Sequence, residues 1–516
     1  WVLLLARALG TGAMASLATA LLFAVHPLNS EVIHYASSRS EVLMAFFFLA
    51  SCLAFMRFDA SGGWGWYVGA LLCGIAALLC KSVALVLVLV LPLCIWWRWG
   101  DPLLNWPRYL PFVAVGLGYV VFSQALIGKA LLAPVRPLDV QAWTQIKALL
   151  YYLSMGAMPV KLSADHQFFA STSLAEPAVF SAALVLFSLV CLLWRARRRI
   201  STLASLWSAL VLAPTCAVPL IVLVNEHRLY LALVGWCLIL GWVFAELFAS
   251  RQRVALSGLA MYTILLAFLA LGRGPVWSDE LSLWSDAAVK GPQMLKPHLR
   301  LGDALVTAGR YREAEIAYLR ALELRPLHPG ARNNLGVLYK RQARWEEAEV
   351  QFRALLDVSP DISHARLNLA KLLLRKGMWR ESETELSRAL EYEDTGGKAQ
   401  KELALIALKF RDDPQRALAY CEASLALAQD AATWNTSGVA LRALGRFSAA
   451  EAAYGRALAL ESGSTDTWFN LGNLYRELGQ FPEALAAYRK TAELGGDSPL
   501  AAQAVKKINE LSTITH

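Results

Sequence analysis

Long apolar runs alternate with short polar connections over the first half of the chain, and a regular polar–apolar repeat replaces them in the second. Runs near 10–25, 42–57, 65–80, 83–97, 109–127, 178–194, 203–224, 229–249 and 254–271 approach the ~20 mostly apolar residues that cross a bilayer, allowing for snorkelling flanks. So many in series predict about nine spanning helices rather than core helices of a soluble protein. Residues 1–6 read as the tail of an earlier span. The chain begins at Trp1 with no signal-peptide pattern, so it reads as a fragment of a longer protein. Trp143 to Met158 is apolar but short, and Lys147, Tyr151, Tyr152 and Gly156 interrupt it. That suits an interfacial or re-entrant helix better than a crossing.

The Lys/Arg bias sets an orientation. Arg7, Arg57, Arg98, Arg108, the cluster Arg195 to Arg199, Arg251 and Arg253 fall on one set of connections, the cytoplasmic set. Parity then delivers Arg273 and everything after it to the other side. It also gathers four polar segments there: His26 to Glu41, the Lys81-Ser82 turn, Lys129 to Pro177, and Asn225 to Arg228. One ionisable residue at a helix mouth is accounted for by snorkelling. Four converging segments predict a shared functional cavity.

Beyond residue 294 the spacing changes. Gly302, Gly336, Ala370, Ala404, Gly438 and Gly472 recur every 34 residues. Ala314, Ala348, Ser382, Arg416, Ala450 and Ala484 follow in step, as do Tyr318, Phe352, Leu386, Tyr420, Tyr454 and Tyr488. Small residues let paired helices approach, and the large ones are expected to fill the gap to the next pair. This is the tetratricopeptide signature, six times in register, with Arg416 marking a departure in the fourth unit. Such solenoids hold peptides or partner proteins on a concave surface, or serve as scaffolds. The expected architecture is all-α. A multi-span membrane domain covers 1–273, a linker 274–294, the repeats 295–498, and a capping helix and tail 499–516.

Composition narrows the function classes. The formal net charge is +9, yet the basic residues sit in short clusters between apolar runs and form no single face, so no nucleic-acid partner is expected. Eight cysteines make no CxxC pair, and seven fall inside apolar runs, which supports neither a disulfide framework nor a zinc site. No HExxH, phosphate-binding loop or nucleophile elbow is present, and no metal is predicted.

Several segments resemble, in order, those of the transmembrane-and-tetratricopeptide-repeat O-mannosyltransferase family and its bacterial relatives. They are FAVHPLNSEVIHYASSRSEVLMA (Phe23 to Ala45), LLCKSVALVLVLVLPL (Leu78 to Leu93), TQIKALLYYLSMGAMPVKLSADHQF (Thr144 to Phe169), NEHRLYLALVGW (Asn225 to Trp236) and WSDELSLWSDAAVK (Trp277 to Lys290). The resemblance implies a GT-C glycosyltransferase. Such an enzyme takes a sugar from a polyprenyl-phosphate donor, often to a protein hydroxyl, at a site facing the periplasm or the endoplasmic-reticulum lumen. The expected setting is a bacterial inner membrane with periplasmic repeats, or the endoplasmic-reticulum membrane with lumenal repeats. Ser38 stands where the family has Gly before Arg, and Ala232-Leu233 lacks its usual Pro. The family's acidic motif lies in an external loop after the first span, so the principal carboxylate is expected ahead of Trp1.

Transfer from a lipid phosphate needs cations to hold the departing phosphate and a base to take the acceptor's proton. The donor-phosphate candidates are Arg39, Lys81, His227 and Arg228. Their alternatives are an ion pair with Glu31 or Glu41 for Arg39, a helix-end charge for Lys81, and snorkelling or pairing with Glu226 for Arg228. The carboxylates Glu31, Asp165 and Glu226 are candidate bases, or else partners of neighbouring cations. His26 and His166 complete the cavity set, with helix termination and contact with water as their alternatives. No cofactor is expected beyond the lipid-linked donor. The rival reading is a membrane-anchored repeat scaffold for envelope proteins; a transporter would show paired broken helices in an inverted repeat, and none is evident.

Overall fold

The computed structural model describes residues 1–99, 106–132, 135–196 and 199–512, and helices and turns make up those residues, with no strand among them. The chain divides into two compact units, Trp1–Arg310 and Tyr311–His516. In the first unit the helices are α1 (Val2–Ala8), α2 (Ala13–Val25), α3 (Asn29–His34), α4 (Arg39–Ser61), α5 (Trp64–Cys80), α6 (Leu87–Trp99) and α7 (Leu110–Leu132). They continue as α8 (Leu138–Ala157), α9 (Pro177–Ala196), α10 (Arg199–Ala217), α11 (Leu233–Ser250), α12 (Gln252–Arg273), α13 (Glu280–Lys290) and α14 (Leu295–Thr307).

Each of the nine apolar runs holds a helix. Among the described residues four stretches, Arg39–Ser61, Ile200–Ala217, Leu233–Ser250 and Gln252–Trp277, are long and apolar enough to cross a membrane by length and composition. Ala13–Val25, Trp64–Cys80, Ser82–Arg98 and Pro177–Leu192 are apolar but shorter. The run expected to reach residue 224 stops at Ala217, three residues after Pro214 and two before Pro219, since proline cannot donate to the helical ladder. The segment read as a linker carries α13, whose N-terminus is capped by Asp279 accepting from the Ser282 N–H at 2.8 Å.

Small residues set the packing of this bundle. Gly241 of α11 lies against α2 so closely that a Cβ there would sit 2.2 Å from Thr19 Oγ1 and 2.6 Å from the Ala15 carbonyl. Phe48, Phe55, Leu22, Trp207 and Leu238 are buried in one continuous core. The outward faces are apolar as well: Phe180, Phe187 and Val190 of α9, and Met261, Ile264, Phe268 and Leu271 of α12, are exposed. A contiguous apolar exterior of this kind marks a surface made for a partner or a bilayer.

The second unit stacks antiparallel helix pairs. They are α15 (Tyr311–Leu324), α16 (Pro329–Arg341), α17 (Trp345–Val358), α18 (Ser363–Arg375), α19 (Trp379–Ala389), α20 (Glu393–Phe410), α21 (Pro414–Leu427), α22 (Ala431–Ala443), α23 (Phe447–Leu460), α24 (Thr465–Glu477), α25 (Phe481–Gly495) and α26 (Pro499–Ser512). The conserved-size positions explain each other within a pair. A Cβ on Gly438 of α22 would meet the Tyr454 ring of α23 at 2.5 Å, and Gly336 and Gly472 face Phe352 and Tyr488 in the same way. The large residue thus fills the gap inside its own pair and reaches the next helix as well, Tyr454 sharing a core with Leu471 and Leu474 of α24 and Tyr488 with Ala504 and Leu511 of α26. A Gly438→Val variant is expected to lose about 1–3 kcal/mol of stability, read as a lower thermal midpoint by circular dichroism. An unchanged midpoint would contradict the packing.

The fourth repeat slips by one residue. Left-handed backbone ends the first helix of a pair at Ala343, Gly377, Gly445 and Gly479, but in the fourth repeat it falls on Asp412, one step late. The second helix therefore buries Ala417 and Cys421, and leaves Arg416 exposed and Tyr420 half-buried. The following connection, Ala428 to Asp430, has three residues against the four of Arg325 to His328, Ser359 to Ile362 and Glu461 to Ser464, and restores the register.

Candidate functional site

The four polar segments meet at one end of the first unit, and a separate contact accounts for each link. His26, at the C-terminal end of α2, reaches the Gly156 carbonyl at the end of α8 through Nε2 at 3.0 Å. Glu41, in the first turn of α4, pairs with Lys81, where α5 breaks into a 3-10 turn over Ser82–Val86. Glu31 of α3 binds the 3-10 turn Glu226–Leu229 twice, accepting from the His227 N–H at 3.0 Å and from its Nδ1 at 2.9 Å. Glu226 in turn accepts from the Ser163 N–H at 2.6 Å. The sequence-derived candidates thus form one connected assembly, tied together by side chains at the helix ends.

Within it the individual roles shift. His26 is buried, and the Leu28 N–H donates to its Nδ1 at 3.3 Å, so the proton sits on Nε2 and points at Gly156. Burial drives this imidazole from its ordinary 6.5 down to about 4, against a smaller upward pull from the Gly156 carbonyl. The ring is a neutral structural tie. The folded state refuses a proton that the unfolded chain takes below about pH 6.5, so this contribution is whole above that value and disappears as pH falls toward 4. Lowering the pH from 6.5 to 4 is expected to remove on the order of 3 kcal/mol of stability through this group. In His26→Gln the corresponding part of the pH slope of the unfolding midpoint should vanish.

Glu226 is fully buried between His166 and Arg273. His166 Nε2 lies 3.2 Å from its Oε1, near enough for charge attraction though not aligned as a hydrogen bond, and Arg273 Nη2 is 3.9 Å from its Oε2. Arg273 closes α12 and donates through Nη1 to the Leu162 carbonyl at 2.9 Å and to Asp286 at 3.2 Å. Asp286 also binds Lys290, which donates to the same Leu162 carbonyl. His166 accepts or donates at Nδ1 with the Tyr151 hydroxyl at 3.0 Å and does not face water. Arg273, Asp286, Lys290, Ser163 and Tyr151 are absent from the site candidates read from the sequence. Their one signal was the Asp286–Lys290 spacing of four, which places the pair on one helical face.

The remaining candidates divide by exposure. Arg228 spends both terminal nitrogens on the Leu223 and Val222 carbonyls, at 3.1 and 2.9 Å, and does not pair with Glu226. It folds the non-helical stretch ahead of it. Arg39 is exposed and its side chain makes no ion pair or hydrogen bond among the described residues, so neither Glu31 nor Glu41 holds it. Burial raises the Asp165 carboxyl above its ordinary value, with Lys296 at 4.0 Å and His166 pulling it back. His227 is the more open member of the Glu31 pair, and its Nε2 carries no hydrogen bond among the described residues.

An all-helical repeat protein with a cluster of ionisable groups at one end of an apolar bundle is the class that fold and site define. The second unit is a tetratricopeptide solenoid. The family model for the tetratricopeptide repeat matches residues 299–361, 336–378 and 436–499. The gap from 379 to 435 brackets the slipped repeat. Over 124 residues the chain is 32% identical to protein O-mannosyl-transferase TMTC1 of Mus musculus, covering 23% of this chain and 13% of that protein. It is 24% identical over 331 residues to protein O-mannosyl-transferase F38B6.6 of Caenorhabditis elegans, covering 59% of this chain and 45% of that one. The chain thus spans less than half the length of these relatives, and the nematode match takes in a larger share of it than residues 295–516 make up. Yeast Tom70 superposes with a TM-score of 0.35 at 14% identity, over 90% of this chain and 88% of that one.

Proposed function

We propose that the chain is a membrane glycosyltransferase of the GT-C kind, which moves a sugar from a polyprenyl phosphate to a protein hydroxyl on the non-cytoplasmic side. About nine helices cross the bilayer in this reading; shorter ones, such as α2 and α5, cross by thinning the bilayer locally or by sitting against their neighbours. The repeats hold the acceptor. The observation that carries the reading is the Glu31–His227 pair at the meeting point of the four polar segments. The nematode relative, a named O-mannosyl-transferase, supports it because its match extends beyond the repeats.

The geometry suits His227 as base. Glu31 accepts from Nδ1–H, which leaves the Nε2 lone pair to take the proton of the acceptor hydroxyl. As that oxygen bonds to the sugar's anomeric carbon, the bond from this carbon to the phosphate oxygen breaks, and the polyprenyl phosphate departs with the electron pair. Arg39, exposed at the start of α4, and Lys81, half-buried beside Glu41, are the cations placed to receive it. Arg228 positions the turn instead.

The test is transfer of labelled sugar from a polyprenyl-phosphate donor to protein by the full-length protein in membranes. No transfer above a heat-killed control, across mannose and other hexose donors, would leave a membrane-anchored repeat scaffold as the reading. A reporter fused after residue 290 tests the orientation, and a cytoplasmic signal overturns it.

A further inference from the structure

A cavity of about 870 Å³ in the first unit lies away from the polar end. Its lining comes from α1, α4, α5 and the end of α6, with Leu4, Phe46 and Ala50 along its length and Arg7, Arg57 and Arg98 among its walls. Helix direction fixes where the charges lie. α4 starts at the polar end with Glu41 and reaches Arg57 about 24 Å further on, at 1.5 Å per residue. α5 returns from Trp64 to Lys81, so Arg57 and Trp66 sit at the opposite end from Lys81. The Arg57 guanidinium stands 5.9 Å over the Trp66 ring, and Trp64 and Trp66 are exposed beside it. Exposed tryptophan next to arginine is the arrangement of a membrane–water boundary.

The length of the groove is informative. Phe46 to Arg57 on α4 spans about 16 Å, which matches half of a ~30 Å hydrocarbon core, one leaflet. No carboxylate lines it; the nearby Asp59 is held by Arg108. Arg98 gives one nitrogen to the Ala8 carbonyl, whereas Arg7 and Arg57 are exposed. An apolar trough one leaflet deep, with guanidinium groups at its boundary end, is complementary to a molecule with hydrocarbon tails and an anionic head.

We infer that this groove binds an anionic phospholipid of the leaflet on the Lys/Arg-rich side, its acyl chains along Leu4, Phe46 and Ala50 and its phosphate at Arg7 and Arg57. The inference rests on the membrane reading above but not on catalysis. The sugar donor's phosphate is assigned to the other end of the unit, so the resident lipid and the donor are separate ligands.

The experiment uses the full chain purified in a non-ionic detergent, titrated with phosphatidylglycerol or phosphatidylcholine, with bound lipid counted by native mass spectrometry. Phosphatidylglycerol should be retained over phosphatidylcholine by on the order of tenfold. In Arg7→Gln/Arg57→Gln that preference should fall to parity while the thermal midpoint holds, and Ala50→Trp, which fills the trough, should reduce retention of both lipids. Equal retention by the unaltered protein, or a preference that survives the double substitution, overturns the inference. So does displacement of phosphatidylglycerol by a polyprenyl phosphate at equal concentration, which would make the groove a donor-chain site. The membrane reading is checked first and separately: a chain that alkaline carbonate strips from membranes fails there, before any lipid is added.

Discussion

Replacing His227 by alanine is expected to lower sugar transfer by about 10²–10⁴-fold, the loss typical of removing a positioned general base. The fold should survive, because His227 is partly exposed and its backbone N–H keeps its bond to Glu31. Glu31→Gln makes a sharper test. Glutamine still fills the site and still offers an oxygen to the His227 N–H, but it no longer stabilises the imidazolium that forms during transfer. Its rate should fall with KM for the donor little changed, and the acidic limb of the pH–rate profile should move. If both variants transfer sugar at the unaltered rate, His227 is not the base, and the Glu31 pair is merely a clasp between α3 and the turn.

Glu226→Ala should instead be felt as instability. The carboxylate is fully buried, takes the Ser163 N–H, and lies between His166 and Arg273. Removing one partner of a buried ion pair and stranding the other costs about 3–5 kcal/mol. Arg273 would keep the Leu162 carbonyl, Asp286 and the Trp277 ring, 5.7 Å from its guanidinium. Thermal unfolding in detergent should show a large drop for Glu226→Ala and a smaller one for Glu226→Gln, which retains an oxygen for Ser163. Equal midpoints for Glu226→Ala and the unaltered protein would mean that the cluster is not held by its charges. In the proposed mechanism the two carboxylates thus separate: Glu31 serves the base and Glu226 supports the fold.

Much of this is legible in the sequence. Periodicity located the repeats because a 34-residue step leaves the same small and large positions in every unit, and parity of apolar runs placed the polar segments together because consecutive helices return to the same end. Pairings were not legible. Arg228 stands two residues after Glu226, yet a 3-10 turn sends its guanidinium back to Val222 and Leu223 and leaves Glu226 to distant partners, Ser163, His166 and Arg273. Arg273 read as a flank of the last apolar run, since nothing local announces that Leu162 and Asp286 wait for it. The register of the fourth repeat misled for a different reason: Arg416 and Tyr420 keep the 34-residue step, but the extra residue before Asp412 turns the helix past them, and Ala417 and Cys421 go inside.

That slip has a mechanical consequence. A linear array unfolds in segments bounded by its weakest nearest-neighbour contact. In the fourth repeat Cys421 occupies the place that Phe352, Tyr454 and Tyr488 fill elsewhere, and a thiol hides far less surface than an aromatic ring. The stack is then expected to have its seam at the fourth pair, between two cooperative blocks. Under heat, protease or tension it would part first around residues 411–430, with amide exchange fastest there, and the flanking repeats would open later as separate cooperative blocks.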